Sequence, residues 1–389
     1  MEKFGRSQPV TRVEDQRFLT GAGRYVDDLA PQGALFAYFL RSPVAHGTIT
    51  ELDLTDARDM PGVEMVVGAT DLEAAGMNLA MKGVTVPNRD GTKGARTHRP
   101  LLAQDRMRHV GEPIAMIVAD TIANAKDAAE VIGLEIDDLA VHTALATGGE
   151  TLHDTAPENL AFDWGKGNEA AFQEAVAAAA HVITVHAPDN RIICNAMEPR
   201  GCYAEMEEGR LHVALNGQGV WGPKSDLVHH MNMDAADIRV TNPDVGGGFG
   251  MKGMAYPETF PVAHAARTLG RAVRWMSERT EGMLTDNAGR DLDTTATLAF
   301  DADHKLIGYH LDTIANMGAY NSQFAQAIQT DLFSKVLMGT YDVQAAYMRT
   351  RGVFTNTTPV DAYRGAGRPE AIFVLERSMD EAARQLGVD

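Results

Sequence analysis

The segment Ile238 to Gly253, IRVTNPDVGGGFGMKG, constrains the fold most, because glycines stand at 246, 247, 248, 250 and 253 directly behind a strand-like run and an Asn-Pro-Asp turn. Glycine permits positive φ and close approach, so successive backbone N–H groups there can converge on an anion or an oxo group. A purely structural turn would use the same residues. A P-loop needs Gly-Lys-Ser/Thr, whereas Lys252 lies between Met251 and Gly253, so that reading fails. The segment Gly248 to Gly253 does satisfy GxGxxG, with Ala272 to Ser277 as a possible next strand and Glu278 behind it. An NAD-binding Rossmann dehydrogenase is therefore an alternative, resting on a motif of low specificity.

Around the loop the pattern is α+β. Short β-rich runs with turn signals open the chain from about Val10: GRYVDDL, ALFAYFLRSP, GVEMVVGAT and EPIAMIVADT. Pro113 to Val118 reads as a buried strand, Thr121 to Ile132 as a helix and GLEIDDL as a further strand. Residues 140–165 lack periodicity and read as a connecting segment. A first domain over 1–150 and a second over 151–389 are expected, the second beginning with a helix at Glu169 to Ala180 and the strand HVITVHA. Ser378 to Asp389 reads as a helix closed by glycine.

Composition narrows the function classes. Basic residues number 35 and acidic residues 53, a net charge of −18, which repels polyanions and argues against nucleic acid as partner. Cys194 and Cys202 form neither a CxxC pair nor a four-ligand zinc site, so iron–sulfur chemistry belongs to another polypeptide. The opening MEKFGRSQPVTRVEDQ is polar and no run approaches the roughly 18 apolar residues of a membrane span, so a cytoplasmic location is expected.

Three further elements accompany the glycine loop: Asn216-Gly-Gln218-Gly-Val-Trp221 before it, Asp361-Ala-Tyr-Arg364-Gly-Ala-Gly-Arg368-Pro-Glu370 after it, and Met197-Glu-Pro-Arg-Gly201. With RVEDQRFLTGAGRYVDDL, LRSPVAHGTI and GEPIAMIVAD, they resemble, in order and over essentially the whole chain, the large subunits of the xanthine dehydrogenase and aerobic carbon monoxide dehydrogenase superfamily.

That resemblance implies a hammerhead-like α/β domain followed by the first molybdenum-cofactor-binding domain. It implies a molybdenum–pterin cofactor, in its molybdopterin cytosine dinucleotide form, that hydroxylates an electron-poor carbon with water as oxygen source. Gln218 would hydrogen-bond an oxygen ligand of the metal, a task suited to an uncharged amide donor. Gly247, Gly248, Phe249 and Gly250 would set backbone N–H groups and an aromatic wall against the cofactor, and Arg364 and Gly365 would lie beside it.

Two departures shape the expected substrate. Copper-containing carbon monoxide oxidisers carry cysteine where this chain has Gly365, and purine oxidisers carry a glutamate where it reads Met251-Lys252-Gly253. An aldehyde or N-heterocycle remains. Family large subunits are also about twice as long, and their second half supplies the general-base glutamate, so this chain alone is expected to be inactive. The implied partners are a complementary C-terminal half, a 2Fe–2S small subunit and an FAD medium subunit. A catalytically silent assembly subunit is the alternative that the missing base suggests.

Other residues carry less. Glu198 and Arg200 could pair with each other or shape their loop, the two cysteines and the methionines read as core, and His229-His230 cannot share a helix face to hold a metal. Lys82 to His98 reads as a mobile segment available to a partner.

Overall fold

The computed structural model describes residues 11–388; residues 1–10, the first part of the polar opening and Val10 with it, and Asp389 lie outside them. Strands run in chain order as β1 (Leu35–Arg41), β2 (Gly47–Asp53), β3 (Val63–Val67), β4 (Arg106–Met107), β5 (Pro113–Ala119) and β6 (Gly133–Asp138). They continue as β7 (Leu160–Gly167), β8 (His181–Asp189), β9 (Ile192–Ile193), β10 (Gly201–Glu207), β11 (Arg210–Leu215) and β12 (Ile238–Thr241). The last are β13 (Val273–Met276), β14 (Ala288–Gly289), β15 (Leu292–Phe300), β16 (Leu306–Gly318) and β17 (Ala345–Phe354).

The continuous apolar run read as a buried strand is β5, and all seven of its residues are buried. It lies between β1 and β3 in a seven-stranded sheet of order β12-β11-β10-β13-β1-β5-β3. Successive side chains of a strand point to opposite faces, so Met116 and Val118 join one core while Ala115, Ile117 and Ala119 join another. The second core is closed by the helix Ile122–Glu130, whose N-cap Thr121 accepts from the amide of Asn124. The sheet takes strands from both sides of residue 150, and β1 meets β13 in parallel register, Leu35 opposite Val273.

A five-stranded sheet, β7-β17-β16-β15-β8, belongs to the later chain. Its core includes Phe162, Leu298, Tyr309, Leu311, Met348 and Val374, the last from the helix Arg368–Leu386, which ends on Gly387 in the left-handed region at φ +68°.

Several expectations need correction. GRYVDDL contains a helical turn, Val26–Leu29, because Asp28 accepts from the amide of Tyr25. The end of the connecting segment is the start of β7, held at the sheet edge against β17. Lys82 to His98 is anchored: Val86 and Thr97 are buried, the amide of Val86 donates to Gln326, and the amide of Ala95 donates to the carbonyl of Ala161. The longest exposed run in it is the tip Arg89–Lys93.

The Rossmann alternative fails on topology. Such a fold needs parallel strands joined by a helix that starts at the glycine loop. Here the loop leads into a single short turn, Met251–Gly253, and the next strand, β13, is separated from β12 by β11 and β10 and runs antiparallel to β10. Glu278 caps the helix Arg279–Thr285 instead of facing a ribose.

Candidate active site

The hairpin β10–β11 brings two of the sequence motifs together at its open end. Asn216, just past β11, accepts from the amide of Gly201 at 2.9 Å and donates to the carbonyl of Pro199 at 2.7 Å. The MEPRG and NGQGVW segments are thereby locked side by side. The edge strand β12 pairs in parallel with β11 and delivers the glycine loop to the same end of the sheet. The early RVEDQRFLTGAGRY segment holds the turn before that loop: Asp244 accepts from the amide of Arg24 at 2.8 Å and pairs with Arg17.

Close approach explains the glycines at two positions. A Cβ on Gly246 would stand 2.4 Å from Cβ of Glu198, and one on Gly250, at φ +95°, would stand 2.8 Å from the carbonyl oxygen of Ala362. The amide of Gly250 donates to Oε1 of Gln218 at 2.8 Å. Gln218 is exposed, and its Nε2 takes no partner among the described residues, so the carboxamide presents its donor outward. The amides of Gly247, Gly248 and Phe249 also lack partners among the described residues. Phe249 has φ +53° and is 42% exposed.

The second sheet contributes the Arg364 loop, which lies between β17 and the helix Arg368–Leu386. The amide of Arg364 donates to the carbonyl of Phe249 at 2.8 Å, and its guanidinium lies over the Phe249 ring at 5.9 Å. Gln218, Gly247, Gly248, Phe249, Gly250 and Arg364 therefore share one face. Gly365 follows at φ +102°, where a Cβ would meet Cγ of Pro369 at 2.3 Å. Sequence reasoning missed what holds this loop. Arg290 donates to the carbonyls of Tyr363 and Arg364 and pairs with buried Glu370 at 2.8 Å. Asp361 accepts from the amide of Phe324 at 3.1 Å, and burial raises its carboxyl above the ordinary range.

Beneath the loops lies a charge network. Arg200 pairs with Glu258 and Asp286, stacks on Tyr256 at 3.7 Å, and shares Glu258 with Arg41. Burial pushes the Glu258 carboxyl up, but Arg200 and Arg41 outweigh it and hold it well below the ordinary range. The Glu198–Arg200 pair does not form. Glu198 instead accepts from the amide of Gly246 at 2.7 Å and from Nζ of Lys252 at 3.0 Å, clamping the glycine loop at both ends. Burial lowers the Lys252 ammonium below the ordinary lysine range, with Glu198 opposing.

Cys194 and Cys202 are free thiols that burial pushes up to about 11 and about 12, so neither is a nucleophile at neutral pH. No group of three or more His, Cys, Asp or Glu side chains arranged to hold a metal occurs among the described residues, and no helix among them is long and apolar enough to cross a membrane.

The unspent donors fit an oxygen-rich group: one uncharged side-chain amide and three backbone N–H groups, with no carboxylate among them. Comparison with known proteins agrees. Residues 152–389 match the molybdopterin cofactor-binding domain family, and residues 20–140 match the aldehyde oxidase and xanthine dehydrogenase a/b hammerhead domain. The nicotine 6-hydroxylase large subunit of Paenarthrobacter nicotinovorans is 32% identical across 97% of this chain and 46% of its own length. The carbon monoxide dehydrogenase large chain of Hydrogenophaga pseudoflava is 30% identical across 97% and 48%. The crystal structure of quinoline 2-oxidoreductase from Pseudomonas putida 86 superposes with a TM-score of 0.88 at 33% identity, covering 98% of this chain and 48% of that one. The chain spans about half the length of these relatives, and it belongs to the xanthine dehydrogenase and carbon monoxide dehydrogenase family as part of a molybdenum-cofactor-binding large subunit.

Proposed function

We propose that this chain forms one wall of the active site of a molybdenum hydroxylase that oxidises an N-heterocycle or an aldehyde. The observation that carries this reading is the convergence of the Gln218 carboxamide, the free amides of Gly247, Gly248 and Phe249, and the Arg364 loop on one face. The bound molybdenum–pterin group, in the cytosine dinucleotide form, supplies oxygen transfer and two-electron acceptance. Gln218 donates from Nε2 to an oxygen of that group, its orientation fixed by Gly250. The glycine loop offers backbone donors preorganised by the Glu198–Lys252 clamp, which costs no reorganisation during reaction. Phe249 and Arg364 bound the space in which substrate is held and from which water is excluded.

The motifs that flank the loop also carry Met197, 89% exposed, and Trp221, 79% exposed, and Phe249 itself is 42% exposed. Apolar exposure of this kind marks contact surfaces, and we assign it to the polypeptide matching the remaining half of the relatives, which brings the general base. Iron–sulfur and FAD subunits complete the complex, in the cytoplasm. Division of the chain near residue 150 follows the hammerhead and cofactor-binding segments. Gly365, in place of a copper-binding cysteine, argues for the organic substrate over carbon monoxide, and the stretch Met251-Lys252-Gly253, which holds no glutamate, argues against a purine.

Co-expression with the complementary half tests the reading. The purified complex is expected to contain molybdenum and a cytosine nucleotide and to reduce dye in the presence of an N-heterocycle or aldehyde. Molybdenum without turnover would leave an assembly role, and a complex free of both metal and pterin would refute the assignment.

A further inference from the structure

Arg99 is 4% exposed, and no carboxylate lies within ion-pairing distance of it among the described residues. Its Nη1 donates to Oδ1 of Asn287 at 3.0 Å, while Nε and Nη2 are buried without any partner. The acids whose charge reaches it are already engaged: Glu258 by Arg200 and Arg41, and Glu112 by the hydroxyl of Tyr320 and the amide of Arg108. Tyr256 offers only a distant ring face, at 5.9 Å. A buried charge without a partner is costly, and burial accordingly weakens its protonation.

The guanidinium borders a narrow cavity shared with Asn287, Asn321, Gln323 and Lys82, whose free volume of about 10 Å³ is room for one water-sized particle. The surrounding side-chain oxygens already accept hydrogen bonds: Oδ1 of Asn287 from Arg99, Oδ1 of Asn321 from Gln326, and Oε1 of Gln323 from the amide of Ala255. Donors are left over, namely Nε and Nη2 of Arg99 and Nδ2 of Asn287. A water molecule would have to place its two hydrogens on oxygens that each already accept one bond, whereas a monatomic anion only accepts and matches the three leftover donors.

We propose that Arg99 anchors a buried halide site, filled by chloride, that braces the underside of the active-site loops. Asn287 adjoins Asp286, which Arg200 holds, and precedes Arg290, which carries the Arg364 loop. On the other side, Ser322 bonds the carbonyl of Val360 and the amide of Phe324 bonds Asp361. The anion joins the segment before β5 to both of these supports.

The test is independent of turnover. Crystals of the chain grown in bromide are expected to show one anomalous peak beside Nη2 of Arg99. In solution, replacing gluconate by chloride should raise the melting temperature with the logarithm of its concentration once above Kd, by about 3 °C at a hundredfold excess. Arg99→Met should abolish this chloride-specific shift. Asn287→Ala, which keeps the guanidinium, should weaken halide binding at least about fivefold and serves if Arg99→Met does not fold. Absence of a bromide peak, water density in its place, or an identical chloride shift in the variants would overturn the proposal.

Discussion

Oε1 of Gln218 accepts the amide hydrogen of Gly250 at 2.8 Å, so the glycine loop orients the side chain that stands over it. Gln218→Glu keeps this acceptor and removes the Nε2 donor; Gln218→Ala removes both. In the assembled complex both variants should lose about 10²–10³-fold in kcat, the usual effect of deleting one preorganised donor. Only Gln218→Ala should lose loop stability, by about 0.5–1.5 kcal/mol in urea denaturation. Wild-type turnover in Gln218→Glu would remove Nε2 from the chemistry.

The Glu198–Lys252 clamp is almost wholly shielded, with side chains 10% and 1% exposed. Removing one partner strands the other charge, so Lys252→Met is expected to destabilise the protein by about 3–5 kcal/mol. Adding Glu198→Gln to that variant should restore part of the loss, because no buried charge is then unpaired. A double variant no more stable than the single one would show that the clamp acts through packing alone.

Gly365→Cys addresses the copper question directly. At φ +102°, with Pro369 Cγ at 2.3 Å from a would-be Cβ, the substitution should cost about 1–3 kcal/mol and should not confer copper binding, as read by metal analysis of the purified variant. Stability equal to wild type would mean that the Arg364 loop accommodates the cysteine pattern after all.

Stability should fall in mild acid. Burial holds His109 near 3 and His153 and His230 near 4, all below the unfolded value of about 6.5. These groups are neutral in the folded state, so their contribution is complete above about pH 6.5 and is lost as pH falls from there toward the folded values. The limiting slope is about 4 kcal/mol per pH unit for three such groups. Glu112 and Asp361, raised by burial, work in the opposite sense over the carboxylate range and reduce it. Urea midpoints from pH 7 to 5 measure the slope, and His230→Gln should lower it by about a third.

How much of this was legible in the sequence depends on whether a residue type announces its own constraint. Gly246 and Gly250 did, since a clustered glycine is informative wherever backbone must approach, and β5 did through its unbroken apolar run. Residues 160–167 did not: LAFDWGKG forms an edge strand only because β17 is there to pair with it. Arg290 and Glu258 look like ordinary surface residues in the sequence, and only the packing of distant segments reveals that one carries the Arg364 loop and the other neutralises two arginines. Of the two roles the sequence leaves open to Glu198, pairing with Arg200 or shaping a loop, the structure realises the second. Its charged partner, Lys252, lies 54 positions away, beyond the reach of any local pattern.

The parallel pairing of Leu35 with Val273 has a consequence for synthesis. At ribosomal rates of about 5–20 residues per second, roughly 10–50 s pass between the emergence of β1 and that of β13. During that interval one edge of β1 is uncovered, and an uncovered apolar edge is a template for pairing with other chains. The early domain is thus a client for chaperones until the later half of its own sheet arrives, and fragments ending before residue 273 should accumulate as aggregates.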